Sequence, residues 1–249
     1  IAALLALAKR LEQHPEPQAL AGKILGLLFF NPSLRTMSSF QAGMARLGGS
    51  SFVISAGNGT WQLETRRGAI MDGVAAEHVR EGVPVLSHYC GVGGIRAFAG
   101  GTNLNEDLAE TSFREMTSLV AKPVINMESA VNHPCQALAD WKTMDDLGLP
   151  QRAKFVLSWV NHPRALPLAV PSATVHMAAM RGMDVVVLRP EGFALPDAIM
   201  AKARAAADSA GGTLRETSNR AEALAGAQVV YAKEWGCTSH YGNADVDRE

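Results

Sequence analysis

Apolar runs alternate with stretches of helical period along most of the chain. Residues 1–20 carry Leu4, Leu7, Ala8 and Leu11 as one apolar stripe, closed by Pro15 and Pro17, which predicts an N-terminal helix. The run at 24–30 predicts a buried strand; Asn31, Pro32 and Ser33 break it, and a helix follows with Phe40, Met44 and Leu47 on one side. A second strand is expected at 50–55, then a glycine-rich loop, 56–60, that leads to Trp61. Residues 72–89 read as helical despite Pro84, a residue that ends or kinks helices. A strand at 93–98, a helix at 104–120 and a strand at 123–127 lead to a loop and a helix at 134–147 with Pro134 in its first turn. Gly148 and Pro150 mark a boundary, after which strands at 154–160, 184–188, 213–217 and 228–233 alternate with helices at 169–181, 196–210 and 220–226. Such alternation predicts an α/β protein of two domains, each a parallel sheet flanked by helices. The expected division is 1–136, a connecting helix at 137–150, and 151–249.

Composition narrows the class of partner. With 47% apolar and 19% charged residues and a formal net charge of −1, the chain has no basic stripe for nucleic acid and no polybasic patch for an anionic membrane. Small molecules and further copies of the chain are the expected partners. No apolar run is long enough to span a bilayer, and the first ten residues lack the charged and small-residue features of a signal peptide. Since the chain does not begin with Met, a preceding leader stays open. The three cysteines, Cys90, Cys135 and Cys237, show neither CxxC spacing nor a metal-ligand pattern with histidine, so they are read as reduced, in the cytoplasm, with no disulfide and no metal site.

Candidate chemistry concentrates after the ends of strands. The turn at 31–36 precedes a helix N-terminus, where unpaired N–H groups and the helix dipole favour an anion; Ser33, Arg35 and Thr36 add two hydroxyls and a guanidinium. Alternatively, Ser33 only caps the helix and Arg35 is a solvated charge. Trp61 is either a core anchor or a lid or subunit-bridging contact. Arg96, near the end of an apolar strand, needs a partner or an anion to offset its burial. His133 and Gln136, at a helix start after a strand, can point to one place before the sheet's carboxyl edge, where open α/β sheets bind ligands; a capping histidine is the plainer alternative. There is no P-loop, and Gly91 to Gly94 precede a strand instead of following one, so no nucleotide fingerprint and no cofactor is expected.

Together these residues resemble the aspartate and ornithine carbamoyltransferase family. Ser33-Leu34-Arg35-Thr36 is similar to its carbamoyl phosphate loop, Arg96 to its strand-end arginine, and His133-Pro134-Cys135-Gln136 to its His-Pro-x-Gln motif. Trp61, the run Met71-Asp72-Gly73, and Lys233-Glu234-Trp235 resemble the branch acting on N-acetylornithine or N-succinylornithine. The resemblance implies that Ser33, Leu34, Arg35, Thr36 and Trp61 bind carbamoyl phosphate, with Arg96, His133 and Thr36 polarising its carbonyl and Gln136 holding its NH₂ group. It also implies an acylornithine site with Glu128, Lys233, Arg164 and Ala76, and a homotrimer in which Trp61 reaches the neighbour's site. A glutamate near position 76 is expected in N-acetylornithine enzymes; Ala76 lacks that charge, and residues 162–167 look closer to the N-succinylornithine enzymes, so succinyl is the preferred acyl group.

Two departures from the family pattern stand out. Met37 replaces a usual arginine, and the chain stops before the family's His-Cys-Leu-Pro segment and terminal helix, so the carboxyl end is expected to be truncated. The rival to an arginine-biosynthetic enzyme is a non-catalytic relative that binds an anion or serves as an assembly subunit.

Overall fold

The computed structural model describes residues 1–163, 166–243 and 246. The first elements are α1 (Ala2–Gln13), β1 (Ile24–Phe29), α2 (Leu34–Arg46), β2 (Ser50–Ser55), β3 (Leu63–Glu64) and β4 (Glu77–His78). They are followed by α3 (Val79–His88), β5 (Val92–Arg96), α4 (Leu104–Ala109), α5 (Thr111–Ser118), β6 (Val124–Glu128) and α6 (Pro134–Asp146). The remainder are β7 (Lys154–Trp159), α7 (Ala169–Met180), β8 (Asp184–Leu188), α8 (Asp197–Ala210), β9 (Thr213–Thr217), α9 (Arg220–Leu224) and β10 (Val229–Lys233). Contacts divide the chain into two compact units, Ile1–Phe98 with Glu110–Ser129, and Ala99–Ala109 with the chain from Ala130 onward. The sequence-based boundary lay at 136; contacts begin the second unit at Ala130 and include α6 in it.

In the first unit the strands form a parallel sheet of order β2-β1-β5-β6. Central β1 is buried at every position after Ile24, as a strand covered on both faces must be. Leu25, Leu27 and Phe29 pack with Met127 and with Met37, Phe40 and Met44 of α2, whereas Leu28 faces Ile95, Val79, Val83 and Met116. Consecutive side chains of a strand point to opposite faces, so one apolar run builds both layers. Next to Leu27 and Met127 the sheet leaves no room for a side chain at position 94: a Cβ there would lie 2.9 Å from Leu27 and 3.1 Å from the Met127 sulfur.

Three sequence expectations change before residue 120. The N-terminal helix ends at Gln13, and Leu4 and Leu7 of its stripe are exposed, while Leu5, Ala8 and Leu11 turn partly inward. The helix expected from 72 starts only at Val79, where His78 Nδ1 accepts from the Arg80 N–H at 3.1 Å; before it, β4 pairs with β3 in a ribbon too short for alternation to show. Pro84 lies inside α3 without ending it, because Val79 and Val83 anchor the helix on the sheet. The single helix expected at 104–120 is two: Glu110 adopts a left-handed φ of 51° between α4 and α5. Leu104 packs on the core of the second unit and Phe113 and Met116 in the first, so the chain must turn between them.

The second unit holds a parallel sheet of order β10-β7-β8-β9. Phe155, Val156 and Leu157 of β7 and Val185, Val186, Val187 and Leu188 of β8 are buried. Against them lies α7, buried nearly all round, which only small side chains such as Ala169, Ala178 and Ala179 permit at this packing. Trp235 is fully buried; its indole donates to the Phe193 carbonyl at 3.0 Å, while its own carbonyl accepts from the Trp159 indole at 2.9 Å. The observed architecture is thus two parallel sheets with helical cover, as the alternation predicted.

Each four-stranded sheet has one place where chain order reverses. Successive strands leave β1 toward β2 on one side and β5 on the other, and β7 toward β8 on one side and β10 on the other. In open α/β sheets the carboxyl ends of strands flanking such a reversal open a crevice for ligands. The β1 and β5 ends carry the turn at 31–33 and Arg96, and those of β7 and β10 carry Trp159 and Lys233.

Candidate active site

Beyond the end of β1, Ser33 takes the N-cap of α2 in an extended conformation, its Oγ accepting from the Thr36 N–H at 3.3 Å and donating to the Thr36 hydroxyl at 2.9 Å. Thus Ser33 does cap the helix. The cap bond serves the Thr36 N–H, no acidic residue lies in the first turn, and Leu34 and Arg35 are exposed. The positive end of this helix is therefore not offset from within it. Asn31 Oδ1 accepts from the Phe98 N–H at 2.8 Å and the Phe30 N–H donates to the Arg96 carbonyl at 2.9 Å, so the turn is tied to the end of β5.

Arg96 is 7% exposed and makes a hydrogen-bonded ion pair with Glu128 at the end of β6. The register of β5 on β6 shifts between Ile95 and Arg96, and such a bulge re-aims a side chain at a strand end. The Phe98 ring lies 4.6 Å from the guanidinium carbon, and the buried Nε has no hydrogen-bond partner among the described residues. Burial draws the guanidinium pKa down, and the charge and hydrogen bond of Glu128 oppose it. Met37, which stands where the resemblance leads one to expect an arginine, packs into the apolar layer of β1, Phe40 and Met127. It serves the core.

Trp61 is 59% exposed, so it is not a core anchor. The preceding loop turns through Gly57 and Gly59 at positive φ, and the indole donates to Glu77 Oε2 at 3.1 Å. That bond ties the end of the loop to Glu77, the residue after exposed Ala76.

In the second unit His133 is the N-cap of α6, but its side chain makes no capping hydrogen bond. Cys135 is half-buried, and burial pushes its thiol up, away from nucleophilic use. Exposed Gln136 donates from Nε2 to Asp140 Oδ1 at 2.8 Å. Burial raises the Asp140 pKa, with Gln136 and Tyr231 opposing, and pushes the Tyr231 hydroxyl up to about 12, helped by the Asp140 charge. Lys233 ends β10 in register with Trp159, half-buried, and the next residue, Glu234, accepts from the Leu166 N–H at 2.7 Å. Arg164 lies outside the described residues.

The structure therefore groups Ser33, Leu34, Arg35 and Thr36 on one turn, joins Arg96 to Glu128, and groups His133 and Gln136 on another helix start. Sequence reading missed Asn31, Glu77, Phe98, Asp140 and Tyr231. Of these only Asp140 had a local signal, an acid one turn after Gln136. Among the described residues no cluster of three or more His, Cys, Asp or Glu could hold a metal ion, and no helix is long and apolar enough to cross a membrane.

Two family descriptions match this chain: the carbamoyl phosphate-binding domain of aspartate/ornithine carbamoyltransferase over residues 1–146, and the Asp/Orn-binding domain over 169–245. The chain is 36% identical to the N-acetylornithine carbamoyltransferase of Xanthomonas campestris, over 99% of its own length and 74% of the relative's. It is equally, 36%, identical to the N-succinylornithine carbamoyltransferase of Bacteroides thetaiotaomicron, over 91% of its length and 69% of that protein's. A solved glutamate-to-alanine mutant of N-acetyl-L-ornithine transcarbamylase, complexed with carbamyl phosphate and N-succinyl-L-norvaline, superimposes with a TM-score of 0.93 at 36% identity, covering 99% of this chain and 75% of that one.

Proposed function

The chain belongs to the aspartate/ornithine carbamoyltransferase family, an enzyme family, and from that premise we propose that it transfers the carbamoyl group of carbamoyl phosphate to the δ-amine of an N-acylated ornithine. The products are the N-acylcitrulline and phosphate, a step of arginine biosynthesis. The observation that carries this reading is Arg96: a buried arginine, 7% exposed, at the strand reversal, its strand end tied by backbone N–H bonds of Phe30 and Phe98 to the turn that opens α2.

In this reading the phosphate sits on the N-terminus of α2, held by Ser33, Arg35, Thr36 and the Leu34 backbone, with Trp61 contributed by a neighbouring subunit of a homotrimer. Arg96, His133 and Thr36 donate to the carbamoyl oxygen, and Gln136 accepts from the carbamoyl NH₂. The δ-amine attacks the carbonyl carbon, the oxyanion forms against those donors, and its collapse breaks the C–O bond to phosphate, which takes the amine's proton. Each donor to such an oxyanion is typically worth ~3–4 kcal/mol. No covalent enzyme intermediate is required; orientation and electrostatics supply the rate. Glu128, Lys233 and Arg164 receive the acceptor's polar and anionic groups.

Succinyl is our preferred acyl group. Ala76 puts no carboxylate beside the acyl end, where a glutamate would repel a succinate. A glutamate-to-alanine mutant of N-acetyl-L-ornithine transcarbamylase has been solved with carbamyl phosphate and N-succinyl-L-norvaline. The rival, a non-catalytic anion binder, loses one of its supports, since Met37 belongs to the core.

His133→Ala tests the chemistry, because His133 makes no side-chain cap bond whose loss would unravel α6. Turnover is expected to fall by about 100-fold or more with the melting temperature unchanged. Full turnover in this variant would sink the proposal.

A further inference from the structure

We propose that Asp140 is a positioning residue that fixes the carboxamide of Gln136, turning its NH₂ group back along α6 and presenting its oxygen outward as the acceptor for the substrate's NH₂. The inference rests on the carbamoyl-transfer reading and assigns a part to a residue outside the motif at 133–136.

A glutamine side chain has a donor end and an acceptor end, and a free one presents either by rotating about its last bond. The carbamoyl NH₂ group only donates, so only the oxygen of Gln136 can serve it. Asp140 lies one helical turn further on, close enough for i,i+4 contact, and its ionised carboxylate only accepts. Hence the hydrogen bond of 2.8 Å to Asp140 Oδ1 must come from Gln136 Nε2, and the amide is held in the useful sense.

The surroundings of Asp140 argue that this contact is more than a surface helix pair. Its second carboxylate oxygen is buried and has no hydrogen-bond partner among the described residues. Burying a carboxylate oxygen without a partner costs stability, and an i,i+4 hydrogen bond returns only part of that cost. The carboxylate also interacts with the Tyr231 hydroxyl on β10, which in turn bonds Thr174 on α7. Asp140 therefore links α6 to β10, and Tyr231 links β10 to α7. Tyr231 is two residues before Lys233, on the same face of the strand, so the acid that orients Gln136 also braces the strand leading to Lys233.

Asp140→Asn is the informative change because it keeps the shape while offering Gln136 both a donor and an acceptor. With carbamoyl phosphate varied against a saturating acceptor, kcat/KM is expected to fall about tenfold, and melting temperature should stay within a few degrees. In a Gln136→Ala background the same change should have no further effect, because the interaction it disturbs is already gone. An undiminished kcat/KM, or an equal loss in both backgrounds, would overturn the proposal. The side-chain NH₂ resonances of Gln136, assigned by their loss in Gln136→Ala, separate this idea from the enzyme reading. If the wild-type protein carbamoylates nothing, the enzyme reading fails, and the resonances alone decide: displacement by Asp140→Asn sustains the fixed amide, and unmoved resonances refute it.

Discussion

At Arg96 the needs of the fold and of the proposed chemistry meet. The Arg96 and Glu128 side chains are 9% and 7% exposed, so each charge depends on the other. Removing one partner of a buried pair typically costs ~3–5 kcal/mol, whereas replacing both by apolar residues is often neutral. Arg96→Met is therefore expected to lower the urea unfolding free energy by about 3 kcal/mol, and adding Glu128→Leu to regain most of it, with neither protein turning over. Tyr231 gives a second expectation. Its hydroxyl is raised from 10.0 to about 12. Above pH 10 the unfolded chain loses this proton first, so it binds fewer protons than the folded one and stability falls as pH climbs toward 12. Below 10 the contribution is complete. Tyr231→Phe should flatten that part of an alkaline stability series, while Tyr241, also raised through burial and Asp107, keeps its own share. The residues with local signatures, Ser33, Arg35, Thr36, His133 and Gln136, are legible in the sequence as candidates. Phe98, Tyr231 and Glu77 are not, because what selects them is contact across elements.

The elements themselves were largely written in their periodicity. β1 shows as a continuous apolar run because both its faces are covered, and the strands and helices after residue 150 fall within one or two residues of their predicted places. Where pattern reading failed, a tertiary demand had overridden it. The break at Glu110 carries no glycine or proline; it exists because Leu104 and Phe113 serve different cores. β3 and β4 are two residues each, below the length at which alternation can be seen. Glycines in β5 mark crowding that the sequence announces without explaining. Gly94→Ala forces a methyl within 2.9 Å of Leu27, and its expected cost is about 1–3 kcal/mol, seen as a lower unfolding midpoint at unchanged m-value.

On the scale of the molecule, two parallel sheets each present one strand reversal, and the proposed ligand-binding residues follow strand ends in both halves. Arg96, with the turn at 31–36, belongs to the first unit, and His133, Gln136 and Lys233 to the second. Relatives named for acetylated and for succinylated ornithine stand at the same 36% identity, so overall likeness does not separate the two acceptors, and single positions such as Ala76 must do so. The most direct measurement is the initial rate of radiolabelled carbamoyl transfer from carbamoyl phosphate to N-succinylornithine, N-acetylornithine and free ornithine at equal concentration. The account predicts transfer to an acylated acceptor, fastest to N-succinylornithine, with free ornithine near background. Transfer to free ornithine alone, or to none of the three, would contradict it.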